Sequence, residues 1–143
     1  MNNTIKEATL GDIAEIVKIE NACFSTPWSE ESLKESLQNE CSHFYLALAE
    51  GGTAGYICVQ IFSGEGYVTN VGVLPGFRRR GIAKALIERA LENEMDFLTL
   101  EVRESNLPAI QLYEKLGFER VGVRPRFYRE PEENAILMTY YKD

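Results

Sequence analysis

Apolar residues near the start of the chain recur every three or four positions, which is the spacing of an amphipathic helix. The residues that share this spacing are Ile13, Ile16, Val17 and Phe24. Residues 9–12 have the form of a capping box, so we expect the helix to begin there. Pro27 separates it from a second helix, which Ser29 is predicted to cap. A short strand is predicted before both helices, near Thr4.

The rest of the chain alternates extended and helical patterns. Three strand-like segments end at glycine or proline, and their short joins are typical of an antiparallel meander. They cover residues 43–49, 54–62 and 67–73. A helix from Gly81 to about Glu94, a strand at 97–102, a helix capped by residues 105–106 and closing strands at 118–123 and 135–141 complete the order.

This order predicts an α/β fold in one domain spanning residues 1–143. The length and the hydrophobic content of 45% are sufficient for a real core. The strands near Val71 and Leu100 are separated by a helix, and such a crossover joins parallel strands. We therefore expect these two strands to lie parallel and adjacent, with ligands binding at their carboxyl ends.

Charge and cysteine usage narrow the class of protein. A net charge of −7 and a pI near 4.9 argue against direct nucleic-acid binding. Residues 1–4 are polar and no membrane-length apolar run follows, so neither a signal peptide nor a membrane partner is expected. The three cysteines, Cys23, Cys41 and Cys58, fit neither a disulfide framework nor a zinc pattern. We expect reduced thiols, no metal and a cytoplasmic location.

The clearest chemical signal is an anion site at residues 70–87. An apolar strand ends at Pro75, a turn containing Arg78, Arg79 and Arg80 follows, and Gly81 opens a helix. The start of a helix presents free N–H groups and a partial positive charge, which suits a phosphate. The Lys-Ser/Thr pair of a nucleotide-binding P-loop is absent, so we expect a diphosphate without nucleoside-triphosphate chemistry.

Two other residues are candidates for catalysis. Glu101 interrupts an apolar strand, where a carboxylate is either solvated at the strand end or faces a wet cleft as a general base. Tyr113 lies beside the apolar stripe of a helix, so it is either a core residue or a proton donor. His43 is more typical of a structural strand residue, and no nucleophile system is evident.

Taken together, these segments resemble the GNAT superfamily of acetyl-CoA-dependent N-acetyltransferases. Residues 78–83 (RRRGIA) match its cofactor motif, Q/R-x-x-G-x-G/A. The match is nearest to RimI-type protein N-terminal acetyltransferases, the ribosomal-protein-alanine branch. The segments that carry it are 24–29 (FSTPWS), 100–106 (LEVRESN), 112–118 (LYEKLGF) and 126–128 (RFY).

The resemblance implies a fold and a set of roles. The fold is a seven-stranded, mostly antiparallel mixed sheet with about four helices, whose parallel central pair splays around acetyl-CoA. The implied cofactor contacts are Val71, Gly72, Val73, Arg78, Arg79, Arg80, Gly81, Ile82, Ala83, Lys84, Asn106 and Tyr113. The strand at 71–73 is expected to carry a bulge that frees an N–H for the oxyanion. Glu101 matches the general base and Tyr113 the general acid.

The implied reaction is direct acetyl transfer from acetyl-CoA to the α-amine of a protein N-terminus, with a ribosomal protein as one candidate acceptor. The aromatic residues Trp28, Phe127 and Tyr128 could form the walls of a peptide groove. Two alternatives stay open: a small amine or lysine side chain as the acceptor, and a non-catalytic acyl-CoA-binding module. The expected state is a monomer or a weak dimer.

Overall fold

The computed structural model describes residues 4–142, and its elements follow the predicted order. The strands are β1 (Thr4–Glu7), β2 (Ser42–Ala49), β3 (Gly52–Phe62), β4 (Glu65–Val73), β5 (Phe97–Arg103), β6 (Glu119–Arg129) and β7 (Glu132–Tyr141). The helices are α1 (Ile13–Cys23), α2 (Glu30–Leu37), α3 (Ile82–Ala90) and α4 (Leu107–Leu116). Residues 1–3 belong to the polar segment at residues 1–4, and they lie outside the residues that the structure describes.

The seven strands form one mixed sheet in the order β1-β2-β3-β4-β5-β7-β6. Every neighbouring pair is antiparallel except β4 and β5, as predicted. The parallel pairing is short, because it joins only residues 65–67 to residues 97–99. The prediction that the strands near Val71 and Leu100 lie parallel and adjacent is confirmed. The implied splay is confirmed as well, because the two strands have separated at the level of these residues.

The helices cover the two faces of the sheet. Residues of α3 and α4 share one apolar cluster with the central strands, and residues of α1 and α2 share another with β2 and β3. The fully buried side chains of the first cluster include Ile57, Ile82, Leu86, Ile87 and Leu98. Along β5, the even-numbered residues Leu98, Leu100 and Val102 face α3 and α4, so the odd-numbered residues face the other side.

Two elements end well away from their predicted last residues. Helix α3 ends at Ala90 rather than near Glu94, because Asn93 turns back and donates from Nδ2 to the carbonyl of Ala90 at 3.0 Å. Strand β6 continues to Arg129 instead of ending at residue 123, because it pairs with β7 again after an irregularity between Arg124 and Tyr128. The longer β6 brings additional side chains onto the sheet.

Leu86 offers a direct test of the core under α3. Leu86→Ala should lower the free energy of unfolding by about 2–5 kcal/mol, because the fully buried side chain leaves a cavity. Leu10→Ala makes the same chemical change at a residue that is 48% exposed, and it should change stability by no more than about 0.5 kcal/mol. Urea denaturation of both variants measures the difference, and equal losses would contradict this packing.

Candidate active site

Beyond the parallel pairing, the edge of β4 carries main-chain groups that no strand covers. The N–H of Leu74 donates to the carbonyl of Ala54 on β3 at 2.8 Å. The main-chain N–H and C=O groups of successive strand residues point to opposite edges of the strand. Those of Val71 and Val73 therefore point away from β3. Strand β5 has separated there, so within residues 4–142 no strand pairs with this edge. The opened edge is a site where an extended ligand can bind main-chain groups.

A β-bulge lies directly upstream on β4, as the resemblance implied. Val68 opposes Val59 and Asn70 opposes Cys58, which leaves Thr69 as the extra residue. The hydroxyl of Thr69 donates to the carbonyl of Cys58 at 3.2 Å. Because a bulge bends its strand and increases its twist, this one contributes to the separation of β4 from β5.

Gly72 allows close packing behind this edge. A Cβ atom on Gly72 would lie 3.2 Å from both Cβ and Sγ of Cys23 and 3.3 Å from Cγ2 of Ile19. The alternation that turns Val71 and Val73 outward directs the N–H and C=O of Gly72 toward β3. Its main chain therefore belongs to the β3–β4 ladder, while its missing side chain lets α1 approach the strand.

The N-terminus of α3 has no capping side chain, unlike the N-termini of α2 and α4. Ser29 accepts from Ser32 N at 3.1 Å, and Asn106 accepts from Ala109 N at 3.3 Å. Gly81 instead takes φ +78°, and a Cβ built on it would meet nothing within 4 Å. The first amides of α3, from residues 82–84, therefore face open space. The placement fits an anion as large as a diphosphate.

The three arginines before Gly81 have different surroundings. The guanidinium of Arg78 donates from Nε to the carbonyl of Val73 at 2.9 Å. Arg80 pairs with Glu50 and lies over the ring of Phe77, 5.4 Å from its centroid. Arg79 has φ +65° and forms no salt bridge with any residue between 4 and 142. Arg79 is thus the arginine with the most donors available for a ligand.

Glu101 lies two residues beyond Thr99, the last position of β5 that pairs with β4, on the face away from α3 and α4. Its side chain is only 6% exposed. One carboxylate oxygen, Oε1, accepts from the hydroxyl of Tyr67 on β4. The other, Oε2, lies 2.9 Å from Nε of Arg124 on β6, but the contact lacks hydrogen-bond geometry. The carboxylate is therefore held between two strands at the open end of the cleft.

Tyr113 lies on the opposite face of the sheet. It packs within the cluster of α3 and α4, and its ring centroid is 5.7 Å from that of Phe118. Burial raises the pKa of the Tyr113 hydroxyl to about 12, so the phenol stays protonated at neutral pH. Glu101 and Tyr113 thus lie on opposite faces of the sheet, with a carboxylate on one face and a protonated phenol on the other.

The three aromatic residues expected at a peptide groove lie on or beside the face that carries Glu101. Trp28 packs against the cluster of α1 and α2. Tyr128 on β6 lies under the guanidinium of Arg103, 4.3 Å from its ring centroid. Burial raises the pKa of Tyr128 to about 12, and the negative charge of Glu101 adds to this shift. Phe127 is 42% exposed and packs edge-on against Tyr128.

Comparison with known proteins accounts for this geometry. The model of the "Acetyltransferase (GNAT) family" matches residues 13–118, which include the bulged strand, the α3 N-terminus and both catalytic candidates. The chain belongs to the GNAT acetyltransferase family. Its seven-stranded sheet with a separated parallel pair is the GNAT fold.

Relatives within the GNAT family cover nearly the whole chain. The [Ribosomal protein bS18]-alanine N-acetyltransferase of Escherichia coli (strain K12) is 32% identical, over 95% of both chains. An N-alpha-acetyltransferase of Saccharolobus solfataricus is 32% identical over 94% of this chain and 90% of its own. The crystal structure of the Escherichia coli ribosomal-protein-S18-alanine N-acetyltransferase superposes with a TM-score of 0.89 at 31% identity, covering 98% of this chain and 94% of that one.

One larger assembly is also similar. A chain in the crystal structure of the NatC complex bound to Gag peptide and CoA superposes with a TM-score of 0.86 at 25% identity, over the full length of both chains. Within residues 4–142, this GNAT chain has no cluster of three or more metal-ligating side chains. None of the described helices combines the length and the apolar character needed to cross a membrane.

The structure adds two residues to the GNAT site that the sequence did not indicate. Tyr67 and Arg124 both contact the carboxylate of Glu101, although 34 and 23 positions separate them from it in the chain. Burial raises the pKa of Tyr67 above its usual value, and its hydrogen bond to Glu101 adds to the shift. Tyr67 is therefore a neutral donor that orients the carboxylate.

A second carboxylate, Glu20 on α1, is fully buried behind the site. Its Oε2 accepts from the hydroxyl of Tyr56 at 2.5 Å and from Nδ2 of Asn70 at 2.8 Å, and its Oε1 accepts from the N–H of Trp28 at 2.8 Å. The sequence carried a signal for this residue, because Glu20 falls on the apolar stripe of α1, seven positions after Ile13.

The pKa of Tyr113 makes stability depend on alkaline pH. The folded-state pKa of about 12 exceeds the value of about 10 in an unfolded chain, so the unfolded state loses its proton first. The stabilisation is complete below about pH 10 and is lost as the pH rises toward 12.

Replacing Tyr113 by Phe should make this alkaline loss of stability shallower, by about 1–1.5 kcal/mol at pH 11, which is one pH unit above the unfolded-state pKa. Urea denaturation of wild type and Tyr113→Phe at about pH 8 and pH 11 measures the effect. The difference in unfolding free energy between the two proteins at pH 8 reports the packing lost in the variant, and it is subtracted from the difference at pH 11. Parallel stability curves for the two proteins over this pH interval would contradict the burial of the hydroxyl.

Proposed function

We propose that this chain, as one domain spanning residues 1–143, transfers an acetyl group from acetyl-CoA to the α-amine of a protein N-terminus. The single observation that carries this proposal is the opened edge of β4 between Glu101 and Tyr113. The edge offers main-chain N–H donors. The proton acceptor Glu101 lies on one face of the sheet, and the proton donor Tyr113 lies on the other face. Amine acylation needs these three groups together.

The residues present fit coenzyme A along the cleft. The uncapped amides of residues 82–84, with Gly81 and the arginine turn, would hold the diphosphate. The outward N–H groups of Val71 and Val73 and the C=O of Val71 would bind the amide-containing pantetheine arm as an added strand binds a sheet edge. The C=O of Val73 already accepts from Arg78. Gly72 would keep this edge in place through β3, and Asn106, at the start of α4, would be a further contact.

When bound, acetyl-CoA supplies a thioester whose acetyl group is activated for transfer. Glu101 accepts a proton from the α-ammonium, directly or through a water, and leaves a neutral amine able to attack. The outward N–H groups of β4 donate to the carbonyl oxygen as negative charge develops there. Tyr113, which is protonated at neutral pH, donates to the departing sulfur.

A protein N-terminus as the acceptor is supported by the surroundings of Glu101 and by the relatives. Trp28 and Tyr128 come from different parts of the chain and lie on or beside the face that carries Glu101, where a peptide can extend between them. The Escherichia coli relative is named a [Ribosomal protein bS18]-alanine N-acetyltransferase, and the Saccharolobus relative is named an N-alpha-acetyltransferase. The first of these names supports a ribosomal protein as the substrate.

We further infer a cytoplasmic protein that acts as a monomer or a weak dimer, without a direct nucleic-acid or membrane partner. The three free cysteines support a reducing compartment. The net charge of −7 disfavours contact with the phosphates of RNA or the anionic surface of a membrane.

Acetyl-CoA consumption by the purified protein tests the acceptor. We expect turnover with peptides that have a free α-amine, and a strong dependence on the first residue. Copies of the same peptides with a blocked N-terminus, lysine-containing blocked peptides and small polyamines should be inactive. Turnover on blocked lysine peptides or on polyamines alone would establish the alternative acceptors instead.

Glu101→Gln should lower kcat by at least about 100-fold, because the amide keeps the shape of the side chain but cannot accept the proton. Acetyl-CoA should still bind and still raise the thermal unfolding temperature. Glu94→Gln makes the same change at an exposed position away from the cleft, and it should leave the rate unchanged. A Glu101→Gln enzyme as fast as wild type would remove the carboxylate from this role.

Tyr113→Phe should lower kcat by about 100-fold while leaving the KM of the peptide nearly unchanged, because the hydroxyl acts on the sulfur and not on the amine. Single-turnover measurements separate the chemical step from product release. If the single-turnover rate of the variant equals that of wild type, Tyr113 is a core residue only.

A further inference from the structure

The two oxygens of the Glu101 carboxylate differ in their partners. Oε1 accepts the hydrogen bond of Tyr67. Oε2 is buried, and it accepts no hydrogen bond from residues 4–142, although Nε of Arg124 lies 2.9 Å away. A buried carboxylate oxygen without a donor is unfavourable, so this part of the site is complete only when another donor reaches Oε2.

Arg124 is the more exposed member of this ion pair. Its side chain is 55% exposed on the edge strand β6, whereas the Glu101 side chain is 6% exposed on the central strand β5. The guanidinium also lies 5.8 Å from the ring centroid of Phe127, with which it can form a cation–π interaction. Because a half-exposed guanidinium is readily solvated and such pairs are weak, moving Arg124 away needs little free energy.

Tyr67 has the opposite character. Its phenol comes from the fixed strand β4, where residues 65–67 pair with β5, and its raised pKa keeps it a neutral donor. Removing it from Oε1 would break a hydrogen bond, whereas Arg124 makes none to Oε2. Of the two oxygens, Oε2 is therefore the one that can be uncovered without breaking a hydrogen bond.

We propose that Oε2 of Glu101 is the oxygen that takes the proton from the substrate. Until the peptide binds, the guanidinium of Arg124 occupies the position beside Oε2 that the α-ammonium of the substrate takes later. This inference rests on the proposed function. The α-ammonium carries the same charge as the guanidinium, is more compact, and can donate the hydrogen bond that Arg124 does not make. Once Arg124 has moved, one ammonium proton passes to Oε2 and the nitrogen retains the electron pair that attacks the acetyl carbon.

Arg124 is then a residue that sets peptide affinity. Every substrate must displace Arg124 from Glu101. An acceptor without a positive charge at its terminus cannot form a new ion pair with Glu101, so it binds less tightly. Because Arg124 has left Oε2 before the proton moves, it contributes to binding and not to the chemical step. A residue needed only to keep the site folded would affect both.

A matched pair of variants separates these roles. Arg124→Gln removes the competing charge from Glu101. Arg120→Gln removes the same charge from the same strand, where Arg120 is 54% exposed and its Nε lies 3.1 Å from Oε2 of Glu114 on α4. Arg124→Lys keeps a positive charge near Glu101. Initial rates with a free-N-terminus peptide give kcat and both KM values for each enzyme.

For Arg124→Gln we expect the KM of the peptide to fall roughly two- to five-fold, the range that a partly exposed ion pair provides. Its kcat and its KM for acetyl-CoA should stay at the wild-type values. Arg120→Gln should match wild type, and Arg124→Lys should restore most of the wild-type KM. Since KM does not depend on the amount of folded enzyme, partial unfolding of a variant cannot imitate this pattern.

A peptide KM that is unchanged or raised in Arg124→Gln, or a fall in its kcat, would overturn the proposal and make Arg124 a supporting residue of the site. Equal effects of Arg124→Gln and Arg120→Gln would assign the change to surface charge, which also overturns it. In each of these cases the wild-type enzyme still acetylates the peptide, so the proposed function stands. Absence of wild-type turnover on every peptide would instead contradict both.

Discussion

The site depends on how few residues of β4 and β5 pair. Three residues on each strand form parallel hydrogen bonds, and beyond them the strands separate in the middle of an otherwise continuous sheet. Main-chain groups in a sheet centre normally bond to a neighbouring strand, and leaving them without partners is unfavourable. Here the bulge at Thr69 bends β4 away, while β3 holds its other edge in register. The result is a gap in the sheet whose polar groups favour an extended, amide-containing ligand.

The two candidate proton-transfer groups lie in different surroundings on the two faces of the sheet. Glu101 lies on the face opposite α3 and α4, and side chains from β4 and β6 contact its carboxylate. Tyr113 lies in the apolar cluster on the other face, where burial favours the neutral phenol. The sheet therefore separates a carboxylate that polar side chains contact from a phenol that apolar side chains surround.

Local features of the site were predictable from the sequence, and contacts between distant strands were not. The uncapped glycine start of α3 is encoded within a few neighbouring residues, so its position followed from the order of strand, turn and helix. The contact of Arg124 with Glu101 depends on the continuation of β6 beyond residue 123, where the strand was predicted to end. Tyr67 meets Glu101 only because of the register of the parallel pair, and no spacing in the chain specifies that register.

Glu20 connects segments that are distant in the chain through the hydrogen bonds of its carboxylate. Its carboxylate accepts from the main chain of Trp28, in the segment between α1 and α2, and from Asn70, the residue after the bulge. With Tyr56 as a third donor, the charge is satisfied only while all these segments keep their places. A replacement in the segment before α2 would therefore also disturb β4 next to its bulge. Substitutions in these two distant segments are expected to be coupled during the evolution of this protein.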